Sequence, residues 1–192
     1  GCRLKVISAD TRAFQINFEE LEETINEHTK AILINSPNNP AGVIYPEALI
    51  KEACKVLEEK GKEYGHPIYV IADEPYRELV FTEEKVSFIP AVYANTVVCY
   101  SWSKSLSLPG ERIGYIAVPK GFDGYDEFIP AINGAGRALG YVNAPSLMQQ
   151  VVRDCIDVMP DIKPYAECRE ALYDSLVNMG YTVAKPSGAF YM

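Results

Sequence analysis

The chain of 192 residues has only two histidines, His28 and His66, and one tryptophan. Its five cysteines, Cys2, Cys54, Cys99, Cys155 and Cys168, are odd in number, widely spaced and never arranged as CxxC. That scarcity argues against a disulfide framework and against a zinc or histidine-based metal centre. It fits reduced thiols in a cytoplasmic protein. Basic residues are in deficit too: 18 Lys+Arg face 26 Asp+Glu, for a net charge of −8. An acidic balance argues against broad binding to nucleic acid or to an anionic membrane. No apolar run approaches the length that crosses a bilayer. The opening GCRLKVISAD lacks the basic and apolar regions of a signal peptide. It also lacks Met, and the chain stops abruptly at SGAFYM, so we expect a piece from within a longer protein.

What is present is ordinary globular composition, 48% hydrophobic and 23% charged, enough for one sizeable core. Apolar β-like runs alternate with helical patterns. Strands are expected at LKVIS (4–8), KAILINS (30–36), IYVIADE (68–74), TVVCYS (96–101) and RIGYIAV (112–118). The continuous apolar character of these runs predicts burial on both faces. Helices are expected at 18–28, with Asn17 as N-cap, and at 46–65, with Pro46 near its start and Gly65 near its end. Beyond Lys120 the pattern is helical, at 125–132, 145–159 and 163–180, the last closed by Gly180. Strands joined by helices predict an α/β fold, a mostly parallel sheet with helices on both faces in three layers.

In such sheets ligands bind beyond the carboxyl ends of the strands. Three predicted strand ends carry unusual polar groups. KAILINS runs into PNNPAG with Asn38 and Asn39; IYVIA ends in Asp73-Glu74-Pro75-Tyr76; VVCY ends in Ser101-Trp102-Ser103-Lys104. Arg112 opens the next apolar run. One rim can then present an amide, a carboxylate, a phenol, hydroxyls, an amine and a guanidinium. An amine forms a Schiff base with an aldehyde, and burial with cationic neighbours brings a lysine toward about 7–8, where it works as nucleophile and base. A carboxylate against a pyridine nitrogen keeps the ring protonated and makes it an electron sink. Arginine and serine hydroxyls hold a phosphate. An amide and a phenol hydrogen-bond a ring hydroxyl. Those are the tasks a protein performs for pyridoxal 5′-phosphate (PLP).

On SPNNPAG (36–42), ADEPYRELVF (72–81) and SWSKSLSLPGERIG (101–114) the chain resembles the class I/II aminotransferases of PLP fold type I, the aspartate-aminotransferase superfamily. The resemblance runs from about residue 1 to the end. It implies Lys104 as the Schiff-base lysine and proton shuttle, Asp73 as partner of the pyridinium nitrogen, and Asn39 and Tyr76 as ligands of the ring hydroxyl. It implies Ser101, Ser103 and Arg112 as phosphate contacts. Residues 141–145 (YVNAP) are similar to a segment that reaches the neighbouring subunit's site in family homodimers. The implied reaction moves an amino group from an amino acid to a 2-oxo acid. The resemblance further implies that residues 1–185 belong to the large PLP-binding domain and that 186–192 lead to a small C-terminal domain. Family chains are roughly twice this length, beyond the usual one-domain size. The phosphate loop at a helix N-terminus, the aromatic that stacks on the ring and the carboxylate-binding arginine are missing, so the isolated chain is expected to turn over little or nothing.

Each residue has a plainer reading. Lys104 alone reads as a solvated loop lysine; Asp73 as a helix N-cap before a turn; Asn39 as turn chemistry; Arg112 as an ion-pair partner of Glu111 or Glu74. Trp102 and Cys99 read as packing, and the two histidines carry no assigned chemistry. The stretch NGAGRALG (133–140) comes near a dinucleotide fingerprint but does not follow a first strand, and reads more simply as a bend between helices. Alternative functions on the same residues are a C–S β-lyase, a decarboxylase or a synthase, or a non-catalytic domain with relic site residues.

Overall fold

The computed structural model describes residues 2–9 and 13–192. Helix α1 (Phe18–Thr24) leads into strand β1 (Ala31–Asn35), followed by α2 (Glu47–Tyr64) and β2 (Tyr69–Asp73). Strand β3 (Thr96–Ser101) runs directly into the short α3 (Trp102–Ser105), and β4 (Gly114–Ala117) completes the sheet. Three further helices follow: α4 (Tyr125–Ala138), α5 (Ser146–Asp154) and α6 (Lys163–Asn178). The sheet order is β1-β2-β3-β4, with the first three strands parallel and β4 antiparallel to β3. This is the α/β class with a mostly parallel sheet that the alternation of elements predicts.

Local chemistry sets several boundaries. Asn17 caps α1, its side chain accepting the Glu20 N–H. Gly65 ends α2 in the left-handed conformation, its N–H returning to the Gly61 carbonyl. Apolar residues of α1 and α2, Leu21, Ile50, Ala53, Cys54 and Leu57, pack with Ile34, Val70, Ala72 and Val98 of the sheet into the main core. In-register pairing puts Ile34, Ala72 and Val98 side by side on that one face.

The opposite face differs from expectation. Leu33 of β1 is 63% exposed and every residue of β4 is exposed. Continuous apolar sequence predicts burial on both faces, but only one face of these strands meets a helix along its length. On the other, burial is uneven: Val97 is buried and Tyr69 is stacked on Phe122 and near Phe128 of α4, while Leu33 stays in solvent. Residues 4–8 form no strand: Leu4 and Val6 are exposed, and the Ser8 N–H donates to Glu20 Oε2 instead of a ladder. The predicted first helix ends at Thr24, where the Asn26 and Thr29 groups close a turn. The helix predicted to 159 stops at Asp154. The stretch NGAGRA is no bend but the second half of α4, which Gly140 terminates with φ +83°. None of the helices is long and apolar enough to cross a membrane, among the described residues.

Candidate functional site

The carboxyl ends of β1, β2 and β3 lie side by side, because Asn35 pairs with Asp73 and Asp73 with Cys99. Asn35 is the hub of this edge. Its Nδ2 donates to the Asp73 carbonyl at 2.9 Å and to Asp73 Oδ2 at 3.2 Å. Its Oδ1 accepts the Asn39 N–H at 2.6 Å. One side chain therefore orients both the carboxylate and the turn that follows β1. Asn38 shapes that turn from within, accepting the Ala41 N–H and donating to the Asn35 carbonyl. Asn39, left exposed at the rim, donates from Nδ2 to the Tyr76 hydroxyl at 3.4 Å.

Asp73 is the last residue of β2 and is half-buried. Burial raises its carboxyl above the usual range. A turn and no helix follows it, so the N-cap reading does not apply. The next carboxylate, Glu74, is buried and turned to Arg77 at 2.7 Å. Arg112 forms no ion pair with Glu74 or with Glu111 among the described residues.

Lys104 sits in α3, immediately after β3. Its Nζ lies 5.3 Å from the Tyr76 ring centroid and 5.0 Å from that of Phe190. No carboxylate pairs with it among the described residues. The cation is held by two aromatic faces, an attraction that leaves the nitrogen without a strong hydrogen-bond acceptor. The Ser101 and Ser103 hydroxyls also make no hydrogen bond among the described residues, and Ser101 serves as an extended N-cap without a side-chain cap bond. Arg112 is exposed, in the left-handed region with φ +52°, and uses one donor on the Pro109 carbonyl at 2.8 Å. Its place is set by β4: Gly114 pairs with Ser101, and the Trp102 N–H reaches the Ile113 carbonyl. Gly114 is required there because a Cβ would collide with the Tyr100 carbonyl oxygen.

The structure thus joins Asp73, Asn39, Tyr76 and Lys104 through short contacts, with Asn35 between the first two. Ser101, at the end of β3, Ser103, in α3, and Arg112, before β4, make no side-chain hydrogen bond or ion pair with the other four among the described residues. Residues 141–145 form an exposed connection between α4 and α5, with Tyr141 72% exposed.

Three participants were not singled out in the sequence. Asn35 had a signal, a lone amide at the end of an apolar run. Phe190 and Tyr191 had none. Their segment folds back so that the Ser187 and Gly188 N–H groups both reach the Gly42 carbonyl and the Ala189 N–H reaches the Leu79 carbonyl. Gly42, at φ +68°, admits this approach; a Cβ would run into the Tyr191 carbonyl oxygen. Tyr191 then places its hydroxyl 2.9 Å from that of Tyr76, and this bond, with burial, raises the Tyr191 phenol.

A family model described as aminotransferase class I and II matches residues 1–192. The aspartate aminotransferase of Geobacillus stearothermophilus is 31% identical over the whole chain and 48% of its own length. That of Bacillus subtilis is 32% identical over 93% of this chain and 45% of its own. A crystal structure of an amino transferase from Eubacterium rectale superposes with a TM-score of 0.93 at 54% identity, covering 95% of this chain and 46% of that one. The chain spans about half the length of the curated relatives it matches. With the family model covering every residue, and the three sequence anchors meeting at one sheet edge, the chain belongs to the class I and II aminotransferases.

Proposed function

We propose that this chain is the cofactor-binding part of a PLP-dependent aminotransferase, which transfers an amino group from an amino acid to a 2-oxo acid. The observation that carries the reading is Lys104: an amine at a strand end, held between aromatic rings with no carboxylate partner among the described residues, beside Asp73, Asn39 and Tyr76. That donor set fits PLP. Asp73 offers a half-buried carboxylate for the ring nitrogen, steadied by Asn35. Asn39 and Tyr76 offer an amide and a phenol, already in contact, for the ring hydroxyl. Among the described residues Ser101, Ser103 and the remaining donors of Arg112 make no side-chain hydrogen bond, and they suit a phosphate.

When bound, PLP supplies an aldehyde that takes an amine and a protonated ring that accepts the electron pair released at the substrate's Cα. The chain's own tasks are distinct from that. Lys104 Nζ would hold the cofactor covalently and carry the substrate's Cα proton. Asp73 would keep the ring nitrogen protonated. Arg112 and the serines would fix the phosphate, so that a proton at Lys104 would travel a set path. Residues 1–185 belong to the large domain, 186–192 lead toward the small one, and the full-length protein is a homodimer acting in the cytoplasm. The isolated chain turns over little.

The test is cofactor capture. The chain is incubated with PLP, reduced with borohydride and digested, and the modified peptide is identified by mass spectrometry. Label concentrated on Lys104, and lost in Lys104→Ala, is the expected result. Label spread over surface lysines with none at Lys104, both here and in a chain extended to the length of its relatives, would overturn the reading.

A further inference from the structure

Lys104 rides on a helix that cannot support itself. Helix α3 has four residues, far below the length at which a helix is stable alone. Its N-cap, Ser101, makes no side-chain cap bond. Something outside α3 must hold its orientation: backbone bonds tie Trp102 to Ile113 and Leu108, and a side-chain contact lies underneath. Ser105, next to Lys104, is 8% exposed and turned inward. Its Oγ is 2.8 Å from the hydroxyl of Tyr100, the residue before Ser101. The bond therefore ties the end of α3 back to the end of β3, across the four residues between. Tyr100 is itself fixed, stacked on Tyr115 at 5.1 Å and edge-on to Trp102 at 5.6 Å.

Burial raises the Tyr100 phenol, which keeps its proton, so either hydroxyl can donate in the bond between Tyr100 and Ser105. We propose that Ser105 and Tyr100 are positioning residues for Lys104: the hydrogen bond between their two hydroxyls sets the orientation of α3 and so presents the amine. The inference rests on Lys104 being the cofactor-binding lysine.

The test uses Tyr100→Phe, Ser105→Ala, their double variant and Ser105→Thr in the same chain. One readout is the rate of borohydride-trapped PLP labelling at Lys104, measured against the exposed Lys55 in the same sample. The other needs no cofactor: amide hydrogen exchange of the Ser107 and Leu108 N–H groups, which bond to the Lys104 and Trp102 carbonyls. Each single variant should slow Lys104 labelling by about two- to tenfold, the range of one hydrogen bond, while Lys55 labelling stays unchanged. Exchange at 107–108 should rise, the double variant should be no worse than either single one, and Ser105→Thr should restore both readouts. Lys104 labelling and exchange that match wild type in Tyr100→Phe and Ser105→Ala would overturn the inference and leave the proposed function standing. Absence of Lys104 labelling in wild type would instead count against that function. Exchange alone then judges the anchor: raised exchange supports it, and unchanged exchange overturns it.

Discussion

Residues 30–105 and residues 125–180 are built from similar apolar patterns but end in different states. In the first region α2 buries Ile50, Ala53, Cys54 and Leu57 against the sheet. In the second, α4 and α6 bury no residue fully and α5 buries only Val152, while Leu147, Leu172 and Val177 stay exposed. An amphipathic pattern specifies a helix in both. It specifies a core only where an opposing surface exists. The candidate site belongs to the first region, and its geometry is held by the parts that are packed.

The comparison can be broken or sharpened by measurement. Leu57 is fully buried, so Leu57→Ala should cost about 2–5 kcal/mol, read from the shift of a urea unfolding midpoint. A cost under about 1 kcal/mol would mean the first region is no better packed than the second.

Alkaline pH offers a second probe of the same core. Burial pushes the Cys54 thiol up to about 11 from an ordinary 9.0. A raised acid favours its neutral form in the fold, so the contribution is complete below the ordinary value. It is lost as pH rises through 9 to 11, about 3 kcal/mol in all. Unfolding free energies across that range should fall in the wild-type chain and fall less in Cys54→Ala. Equal slopes would place the pH dependence elsewhere.

The N-cap of α1 should weigh less. Asn17→Ala removes the acceptor for the Glu20 N–H and should cost about 1 kcal/mol, visible as a small loss of melting temperature. Smallest of all is Leu172→Ala in α6, half exposed, which should change stability by less than about 0.5 kcal/mol. A larger loss would show that the second region carries a core of its own.

The same contrast explains what was legible in the sequence. The strands at 31–35, 69–73 and 96–101 were readable because their apolar runs end in polar residues that change the local chemistry abruptly. Asp73, Asn39, Tyr76 and Lys104 were singled out as candidates by that signal, and the structure brings them to one sheet edge. Residues 4–8 misled because an apolar run becomes a strand only beside a partner, and Glu20 takes the Ser8 N–H first. The stretch 133–138 misled because glycine favours bends, yet its cost inside a helix is only about 1 kcal/mol each, which α4 absorbs. Phe190 and Tyr191 stayed hidden because what brings them to Lys104 is a set of hydrogen bonds to Gly42 and Leu79, contacts between distant parts of the chain that no local pattern encodes.

That fold-back has a consequence for when the site comes into being. The Tyr76–Tyr191 bond closes a separation of 115 residues, and Lys104 meets Phe190 only after the same closure. Long-range contacts of this kind form late, once chain entropy has been overcome by more local structure. On a ribosome the sheet and Lys104 emerge well before residue 190. The amine therefore spends the early life of the nascent chain without its second aromatic wall, which arrives only when residue 190 is made.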